Sequence, residues 1–303
     1  MEKQGESQFD TLLQLEWQDY RDYYGSSHGH HVSGTIRVAS GVYSPELHNR
    51  RDILVYLPPS YYRTNYHYPV IYMHDGQNLF DNATSYAGEW GVDEAMEKLG
   101  ASEDLEAIIV GVPNAGPHRI DEYSPFRDHH LGGGRGNRYL GFLADTLKPM
   151  IDSAFRTRSG RKHTGIMGSS MGGLISLYAF FHRSETFGFA GVMSPSLWFA
   201  DQAIFDYVDS SLYYPGKIYL DAGTREYGEQ RSSGRLHRAA ASRTYYASVR
   251  RMKGILLRKG YRPLRDLMHI EEKWAGHSES SWARRLPLAL RFLLTEALRE
   301  TSG

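Results

Sequence analysis

Short apolar runs alternate with amphipathic stretches along most of the chain. Apolar or alternating runs bounded by turn residues are typical of strands, and they predict strands at residues 31–43, 51–57, 68–73, 105–112, 162–167, 188–193, 217–220 and 267–273. Apolar residues at helical spacing predict helices at residues 90–99, 139–155, 171–182, 236–256 and 281–298. Because strands and helices alternate, we expect an α/β fold with a mainly parallel central sheet and helices on both faces.

The pattern also predicts the domain organisation. No internal repeat or long low-complexity linker interrupts it, so we expect a single domain at 31–303 after a loosely attached leader at 1–30. No long apolar insertion separates the elements, which argues against a large lid domain. Glycines act as local breakers, and they place the end of the first predicted helix at Gly100 and a flexible loop at 132–136.

The amino-acid composition excludes several kinds of chemical site. The chain contains no cysteine, which excludes disulfides, thiolate metal sites and a cysteine nucleophile. The 35 basic and 35 acidic residues balance overall, but the first 110 residues carry 7 basic and 17 acidic ones and the remainder carries 28 and 18. The most basic stretch, 225–265, has no recognisable nucleic-acid-binding motif, so we interpret it as a solvent-exposed helix face and expect no nucleic-acid partner.

Two features of the sequence bear on localisation. The chain has no apolar run of the roughly 18–20 residues that a membrane span requires, and its N-terminus is polar and acidic, unlike a secretory signal. We therefore expect a cytoplasmic protein without a membrane partner. The sequence leaves the oligomeric state open.

The clearest chemical signal is the hexapeptide Gly-Ser-Ser-Met-Gly-Gly at 168–173. It fits the pattern G-x-S-x-G and lies between a predicted strand and a predicted helix, where small neighbours of Ser170 allow a sharp turn. Such a turn exposes the serine hydroxyl at a helix N-terminus, whose free N–H groups favour developing negative charge. We therefore predict that Ser170 is a nucleophile.

A serine nucleophile needs a base, and the base needs an acid that orients it. His277 lies in a loop between the last predicted strand and the last predicted helix, which suits a mobile base. For the acid, Asp221 ends a predicted strand and Glu226 lies in the loop beyond it. We favour Glu226 because the acid of such a triad usually follows its strand, and we keep Asp221 and, after it, Glu229 as alternatives.

An oxyanion formed at the nucleophile needs two backbone donors. The residue after the nucleophile supplies one of them, the N–H of Met171. The loop His-Asp-Gly-Gln at 74–77 follows an earlier strand, and its glycine lets the backbone approach a substrate. We nominate the Gln77 N–H as the second donor. Neither this loop nor the histidine-rich residues 28–31 has metal-ligand spacing, so we expect no metal and no cofactor.

Taken together, these motifs resemble the putative-esterase family of α/β-hydrolases, which includes enterobactin esterases, feruloyl esterases, S-formylglutathione hydrolases and mycolyltransferases. The resemblance covers about residues 32–299 and rests on motifs in a shared order, at 72–80, 89–93, 114, 119, 122–125, 168–173, 193–198, 223–226 and 276–277. It implies an α/β-hydrolase fold, carboxylic esters as substrates, a triad of Ser170, Glu226 and His277, and oxyanion donors at Met171 and Gln77. Many relatives carry aspartate where this chain has Glu226.

The resemblance also predicts where a substrate would bind. Three loops would border a pocket at the carboxyl ends of the strands, at 78–89, 113–137 and 194–215. Trp90 and Trp198 are candidates to bind an aryl or acyl group, and Arg119 is a candidate to bind an anionic portion. For Arg119 we favour instead an internal ion pair with Glu122.

We predict a serine esterase that acts on small-molecule esters through an acyl-enzyme intermediate. Two alternatives stay open at this point. One is an acyltransferase on the same fold that passes the acyl group to an alcohol or a sugar. The other is a non-catalytic binding protein that uses the basic helix.

Overall fold

A nine-stranded sheet forms the centre of the fold, and it confirms the predicted fold class. The computed structural model describes residues 16–25, 29–228 and 235–295. The strands are β1 (Gln18–Asp19), β2 (Thr35–Ser44), β3 (Asn49–Leu57), β4 (Val70–His74), β5 (Ile108–Val112), β6 (Thr164–Ser170), β7 (Phe189–Pro195), β8 (Lys217–Gly223) and β9 (Leu267–Glu272). Their order is β1-β2-β3-β5-β4-β6-β7-β8-β9, and the pairs are antiparallel as far as β3–β5 and parallel beyond it.

Helices cover both faces of this sheet. They are α1 (Tyr20–Tyr24), α2 (Val92–Glu103), α3 (Arg119–Glu122), α4 (Gly136–Gly141), α5 (Lys148–Ala154), α6 (Met171–His182), α7 (Phe199–Ser210), α8 (Arg235–Arg258) and α9 (Glu279–Leu294). A π-helical segment, Phe142–Leu147, joins α4 to α5. The predicted helix at 139–155 is therefore one helical run that changes its winding along its length.

Side chains of the central strands divide between two cores because their directions alternate along a strand. In β4, Val70 and Tyr72 enter the core that α6 and α8 cover. Ile71 and Met73 enter the core that α2 and α9 cover. A short, continuously apolar strand of this kind is typical of a sheet buried on both faces.

Two local predictions about glycine were wrong. Helix α2 continues through Gly100 to Glu103 and is capped by Asp104, whose φ is 52°, because one glycine inside a helix costs only about 1 kcal/mol. The glycine-rich segment predicted as a flexible loop forms a small antiparallel pair, in which Gly132–Gly133 lies against Arg127–Asp128. The N–H of Gly133 also donates to Asp121 Oδ1 at 2.9 Å, which anchors the turn.

Part of the predicted leader packs against the domain. Strand β1 pairs with β2 at the edge of the sheet. The Tyr20 side chain is buried, and its hydroxyl donates to Asp81 Oδ2 at 2.9 Å. His30 Nδ1 contacts the same oxygen at 2.6 Å. These contacts tie the N-terminal segment to the loop after β4, which borders the cavity described below.

Three crowded carboxylates at the start of α2 predict a pH-dependent stability. Glu89, Asp93 and Glu94 place one oxygen each within 4.8 Å of one another. Burial, together with the neighbouring Glu94, raises the pKa of Asp93 from 3.8 to about 8 and that of Glu89 from 4.5 to about 7. Between the ordinary pKa of these carboxyls and the raised one, the folded chain therefore holds protons that the unfolded chain has already released. The free energy of unfolding falls as the pH rises through this range.

We expect the free energy of unfolding, measured by urea titration at pH 5, 6.5 and 8, to decrease with pH in the wild type. Asp93→Asn should flatten this dependence, because the amide cannot ionise but still accepts the Ser33 N–H that reaches Asp93 Oδ2 at 2.6 Å. If the free energy of unfolding depends on pH as steeply in Asp93→Asn as in the wild type, the pKa of the Asp93 carboxyl is not raised by folding.

Candidate active site

The turn between β6 and α6 holds Ser170 in a strained conformation. Its φ of 58° and ψ of −121° lie outside the regions that non-glycine residues usually adopt. Two glycines near Ser170 have no room for a side chain. A Cβ at Gly168 would lie 2.8 Å from His74 Cδ2, and a Cβ at Gly173 would lie 2.8 Å from Met193 O. The local sequence thus permits the abrupt strand-to-helix turn predicted from the hexapeptide.

His277 and Glu226 lie together at the carboxyl end of the sheet. His277 occupies the loop between β9 and α9, and its Nδ1 lies 2.6 Å from Glu226 Oε2. The backbone N–H of His277 also donates to the Glu226 carbonyl at 3.2 Å. The Glu226 carboxylate is buried, whereas the His277 side chain is 29% exposed. Trp282 and Tyr245 pack edge-on against the imidazole, with ring centroids 5.0 and 5.7 Å away.

Asp221, the alternative acid, has different partners. It is fully buried in β8, where its Oδ2 accepts from Arg285 Nε at 2.7 Å and its Oδ1 accepts the Ser194 N–H at 2.9 Å. The structure thus brings Glu226, rather than Asp221, to the imidazole of His277. Glu229, the third candidate, lies outside the described residues.

The loop after β4 approaches the nucleophile through a tight backbone turn. Asp75 adopts a left-handed conformation with φ of 55°. A Cβ at Gly76 would lie 2.6 Å from the Gly111 carbonyl carbon, so only glycine fits there. The next residue, Gln77, accepts the Asn114 N–H on its Oε1 at 3.2 Å. These contacts hold the backbone of Gln77 beside the cavity.

A partly buried ion pair braces this loop. Asp75 accepts two hydrogen bonds from Arg119, at 2.7 and 2.8 Å, and one from Asn114 Nδ2 at 2.7 Å. Burial alone would raise the pKa of Asp75, but the charge and hydrogen bonds of Arg119 lower it below its usual value. The carboxylate is therefore ionised and fixes the loop by its charge.

The predicted pair between Arg119 and Glu122 was wrong. Arg119 lies over the Tyr123 ring and reaches Asp75 instead. Glu122 is buried and pairs with Arg51 on β3, with Nη2–Oε1 and Nη1–Oε2 distances of 2.9 and 3.0 Å. Each of these bidentate ion pairs stabilises the fold more than an exposed ion pair between residues three apart on one helical turn would.

Ser170 and His277 line one cavity of about 900 Å³. Its other walls come from the loop after β4, the loop after β5 and the start of α9, and its lining includes Asp75, Gln77, Asn78, Thr84, Ser85, Tyr86, Ala87, Trp90, Pro113, Asn114, Gly116, Arg119, Ser169, Glu279 and Trp282. Two of the three loops predicted to border the pocket thus contribute to it. Trp90 and Arg119 lie in the lining, whereas Trp198 lies outside it and is 45% exposed.

Sequence reasoning missed Ser196. Its hydroxyl lies 3.2 Å from the Ser170 hydroxyl, and its N–H donates to the Ser170 carbonyl at 3.0 Å. Strands β6 and β7 are parallel neighbours, so the residues that follow β7 necessarily lie beside the nucleophile. The motif at 193–198 was a usable signal, because it ends a strand and carries two serines.

Two of the histidines considered as metal ligands, His74 and His30, have other contacts. His74 is buried, and its Nδ1 lies 2.8 Å from the Tyr139 hydroxyl. Burial lowers the pKa of His74 to about 3, so the ring is neutral. His30 contacts Asp81, and His28 lies outside the described residues. Across the part of the chain that the structure describes, no helix is both long and apolar enough to cross a membrane.

Comparisons with known proteins place the chain in a family. Residues 44–293 match the family described as putative esterase. The uncharacterized protein YbbA of Bacillus subtilis is 27% identical over 252 residues, which cover 81% of this chain and 92% of YbbA. The siderophore triacetylfusarinine C esterase of Aspergillus fumigatus is 29% identical over 136 residues, which cover 43% of this chain and 44% of that protein.

Solved structures share the fold at low sequence identity. The siderophore hydrolase EstA from Aspergillus nidulans has a TM-score of 0.66 and 18% identity, with 88% of this chain and 95% of EstA covered. The enterobactin esterase FES from Shigella flexneri has a TM-score of 0.63 and 19% identity, with 87% and 60% covered. Since the family match spans well over half of the chain, the protein belongs to the putative esterase family of α/β-hydrolases and is a carboxylic ester hydrolase.

Proposed function

We propose that this esterase acts through a Ser170–His277–Glu226 triad and an acyl-enzyme intermediate. One observation carries the proposal, the 2.6 Å contact between His277 Nδ1 and Glu226 Oε2 at a cavity that the strained Ser170 also lines. A histidine whose Nδ1–H is fixed by a carboxylate presents Nε2 as the base. The buried Glu226 also stabilises the imidazolium that forms when the base takes a proton.

In the proposed reaction, His277 removes the Ser170 proton while the serine oxygen attacks the ester carbonyl carbon. The imidazolium then gives this proton to the leaving alcohol, which leaves the acyl group on the serine. Water enters, and His277 removes one of its protons as the water oxygen attacks the acyl carbonyl carbon. The imidazolium then gives this proton to the serine oxygen as its bond to the acyl carbon breaks, which releases the carboxylic acid and regenerates the serine.

Two backbone N–H groups are proposed to hold the oxyanion. Met171 begins α6, so its N–H is among those that a helix leaves without a partner in its first turn. The Gln77 N–H is presented by the loop that Gly76 and Asp75 constrain. Removing one such donor typically lowers kcat by about 10²–10³-fold, so these two groups account for a large part of the expected rate.

The cavity favours esters with a bulky acid or alcohol. A volume of about 900 Å³ lies at the upper end of the range for small-molecule sites, and the walls carry the aromatic residues Tyr86, Trp90 and Trp282. Relatives described as siderophore esterases and as a feruloyl esterase suggest siderophore esters and aryl esters as classes to test.

The cysteine-free composition suits the cytoplasmic location that we propose.

The test is turnover of p-nitrophenyl acetate, p-nitrophenyl butyrate, methyl ferulate and a siderophore lactone by the purified protein. We expect hydrolysis of both p-nitrophenyl esters, and a higher kcat/KM for one of the bulky esters than for acetate. Folded protein that turns over none of the four would contradict the proposal. Adding competing alcohols distinguishes the rival activity, because an acyltransferase would yield the new ester in place of the free acid.

A further inference from the structure

A buried polar cluster adjoins Glu226, and no step of the proposed reaction uses it directly. It consists of Ser194 from β7, Asp221 from β8 and Arg285 from α9, whose exposed fractions are 0%, 0% and 4%. These residues lie far apart in the chain, and the fold alone brings them together. We name them the Ser194 cluster.

The hydrogen bonds of this cluster run in one direction. A guanidinium can only donate, so Arg285 Nη2, which lies 2.9 Å from Ser194 Oγ, uses a lone pair of that hydroxyl. The single hydroxyl proton of Ser194 is then committed to its other neighbour, Glu226 Oε1, at 2.7 Å. The Gly223 N–H donates to the same carboxylate oxygen at 2.5 Å. With Oε1 held by two donors, Oε2 is left to accept from His277.

The backbone of Ser194 is fixed as firmly as its hydroxyl. Its φ of 37° is unfavourable for a residue with a side chain. Asp221 Oδ1 accepts its N–H at 2.9 Å, and the Tyr245 hydroxyl donates to its carbonyl at 2.6 Å. A strained conformation persists only where its surroundings determine it, and here both backbone polar groups of Ser194 have buried partners.

Asp221 and Arg285 fix each other. Asp221 Oδ2 accepts from Arg285 Nε at 2.7 Å, and Arg285 Nη1 donates to Glu272 Oε2 at 3.0 Å. All three guanidinium nitrogens therefore point at named acceptors. Stability does not by itself require such a pair, because apolar side chains of similar volume stabilise a core as well or better.

We propose that the Ser194 cluster positions Glu226, so that Asp221 and Arg285 act on the triad through the hydroxyl of Ser194. This inference rests on the proposed triad. Glu226 has a long side chain with several rotamers, and a base misplaced by about 1 Å can cost about 10²-fold in rate. The Ser194 hydroxyl restricts the Glu226 carboxylate to the rotamer that meets His277 Nδ1. Asp221, which sequence reasoning considered as the triad acid, is a positioning residue.

The experiment compares Ser194→Ala with Ser44→Ala. Ser44 is the matched control, since it is a buried serine whose hydroxyl donates to a glutamate, Glu46, at the end of β2. With p-nitrophenyl butyrate, we expect Ser194→Ala to lower kcat about 10- to 100-fold and to change KM less than threefold, because the base is misplaced and the cavity is intact. Ser44→Ala should change neither constant.

A spectroscopic readout keeps this test separate from the test of the proposed function. In the folded wild type, the proton between His277 and Glu226 should give a far-downfield ¹H NMR resonance that is absent from Glu226→Gln, whether or not any ester is turned over. We expect this resonance to move or broaden in Ser194→Ala and to stay in place in Ser44→Ala. A folded Ser194→Ala protein with an unchanged resonance and an unchanged kcat would overturn the positioning role.

A second comparison covers the case in which Ser194→Ala does not fold. Arg285→Lys keeps the buried charge but has a single nitrogen and cannot reproduce the three-way contacts of the guanidinium. We expect it to lower kcat at least fivefold at nearly constant KM. Wild-type kcat and an unmoved resonance in folded Arg285→Lys would count against the proposal.

Discussion

Replacing Ser170 by alanine is expected to lower kcat/KM for p-nitrophenyl butyrate by at least about 10⁴-fold. The substitution removes the oxygen that we propose forms the acyl-enzyme, while the oxyanion donors and the cavity stay in place. In a well-studied serine protease, loss of the nucleophile costs about 2 × 10⁶ in kcat, and the remaining rate comes from the oxyanion site and binding. Alanine would adopt the same strained backbone conformation as Ser170, so the melting temperature should change little.

The measurement is a comparison of initial rates for the wild type and Ser170→Ala, with both proteins shown to be folded by circular dichroism. Ser44→Ala again serves as a control, because it is a serine-to-alanine substitution at a residue that does not line the cavity. Ser170→Ala retaining more than a tenth of the wild-type rate would exclude Ser170 as the nucleophile. It would also direct attention to the neighbouring Ser169 and Ser196, which lie next to the cavity.

The second large effect separates the two candidate acids. Glu226→Gln keeps the size of the side chain but removes the charge that orients His277 and stabilises the imidazolium, so we expect kcat to fall about 10³–10⁴-fold. Asp221→Asn should lower kcat less, about 10- to 100-fold, because it acts only through Ser194. Its larger effect should be on folding, since Arg285 loses its buried charged partner, at a cost of about 3 kcal/mol.

Activity and stability of the two variants together distinguish Glu226 from Asp221 as the triad acid. Kinetics with p-nitrophenyl butyrate and urea unfolding should show a catalytic defect in Glu226→Gln and mainly a stability defect in Asp221→Asn. The opposite pattern, in which Asp221→Asn is as inactive as Glu226→Gln yet as stable as the wild type, would assign the acid to Asp221.

The sheet was predictable because its signal is local. Each central strand is a short apolar run, and the alternation with helices specifies a parallel arrangement whatever the loops do. The elbow around Ser170 was predictable for a similar reason, since the small residues that the turn requires are adjacent in sequence. His277 followed from its place between the last strand and the last helix.

Contacts between distant residues were not predictable in this way. Arg119 has an acidic neighbour three residues later, yet it pairs with Asp75, 44 positions earlier, because the fold brings the two side chains together. Arg285 meets Ser194 across 91 positions. Propensity and periodicity describe neighbours along a helix or strand, so they contain no information about which buried charges meet across the sheet.

The same limit applies to the walls of the cavity. Trp90 and Trp198 both belong to motifs shared with the family, so the sequence does not distinguish their roles. They differ in where the fold places their loops. Trp90 is buried in the cavity wall, whereas Trp198 stays exposed at the start of α7. The N-terminal segment is a further example, because its polar sequence does not reveal that Tyr20 reaches Asp81 in the loop after β4.

Covalent trapping tests the central claim most directly, because it requires no knowledge of the natural substrate. Incubation with a fluorophosphonate should raise the intact mass of the wild type by one phosphonyl group, and peptide mass spectrometry should place that group on Ser170. Glu226→Gln should react much more slowly, and Ser170→Ala should not react. A modified residue other than Ser170, or equal labelling of Ser170→Ala and the wild type, would contradict the account.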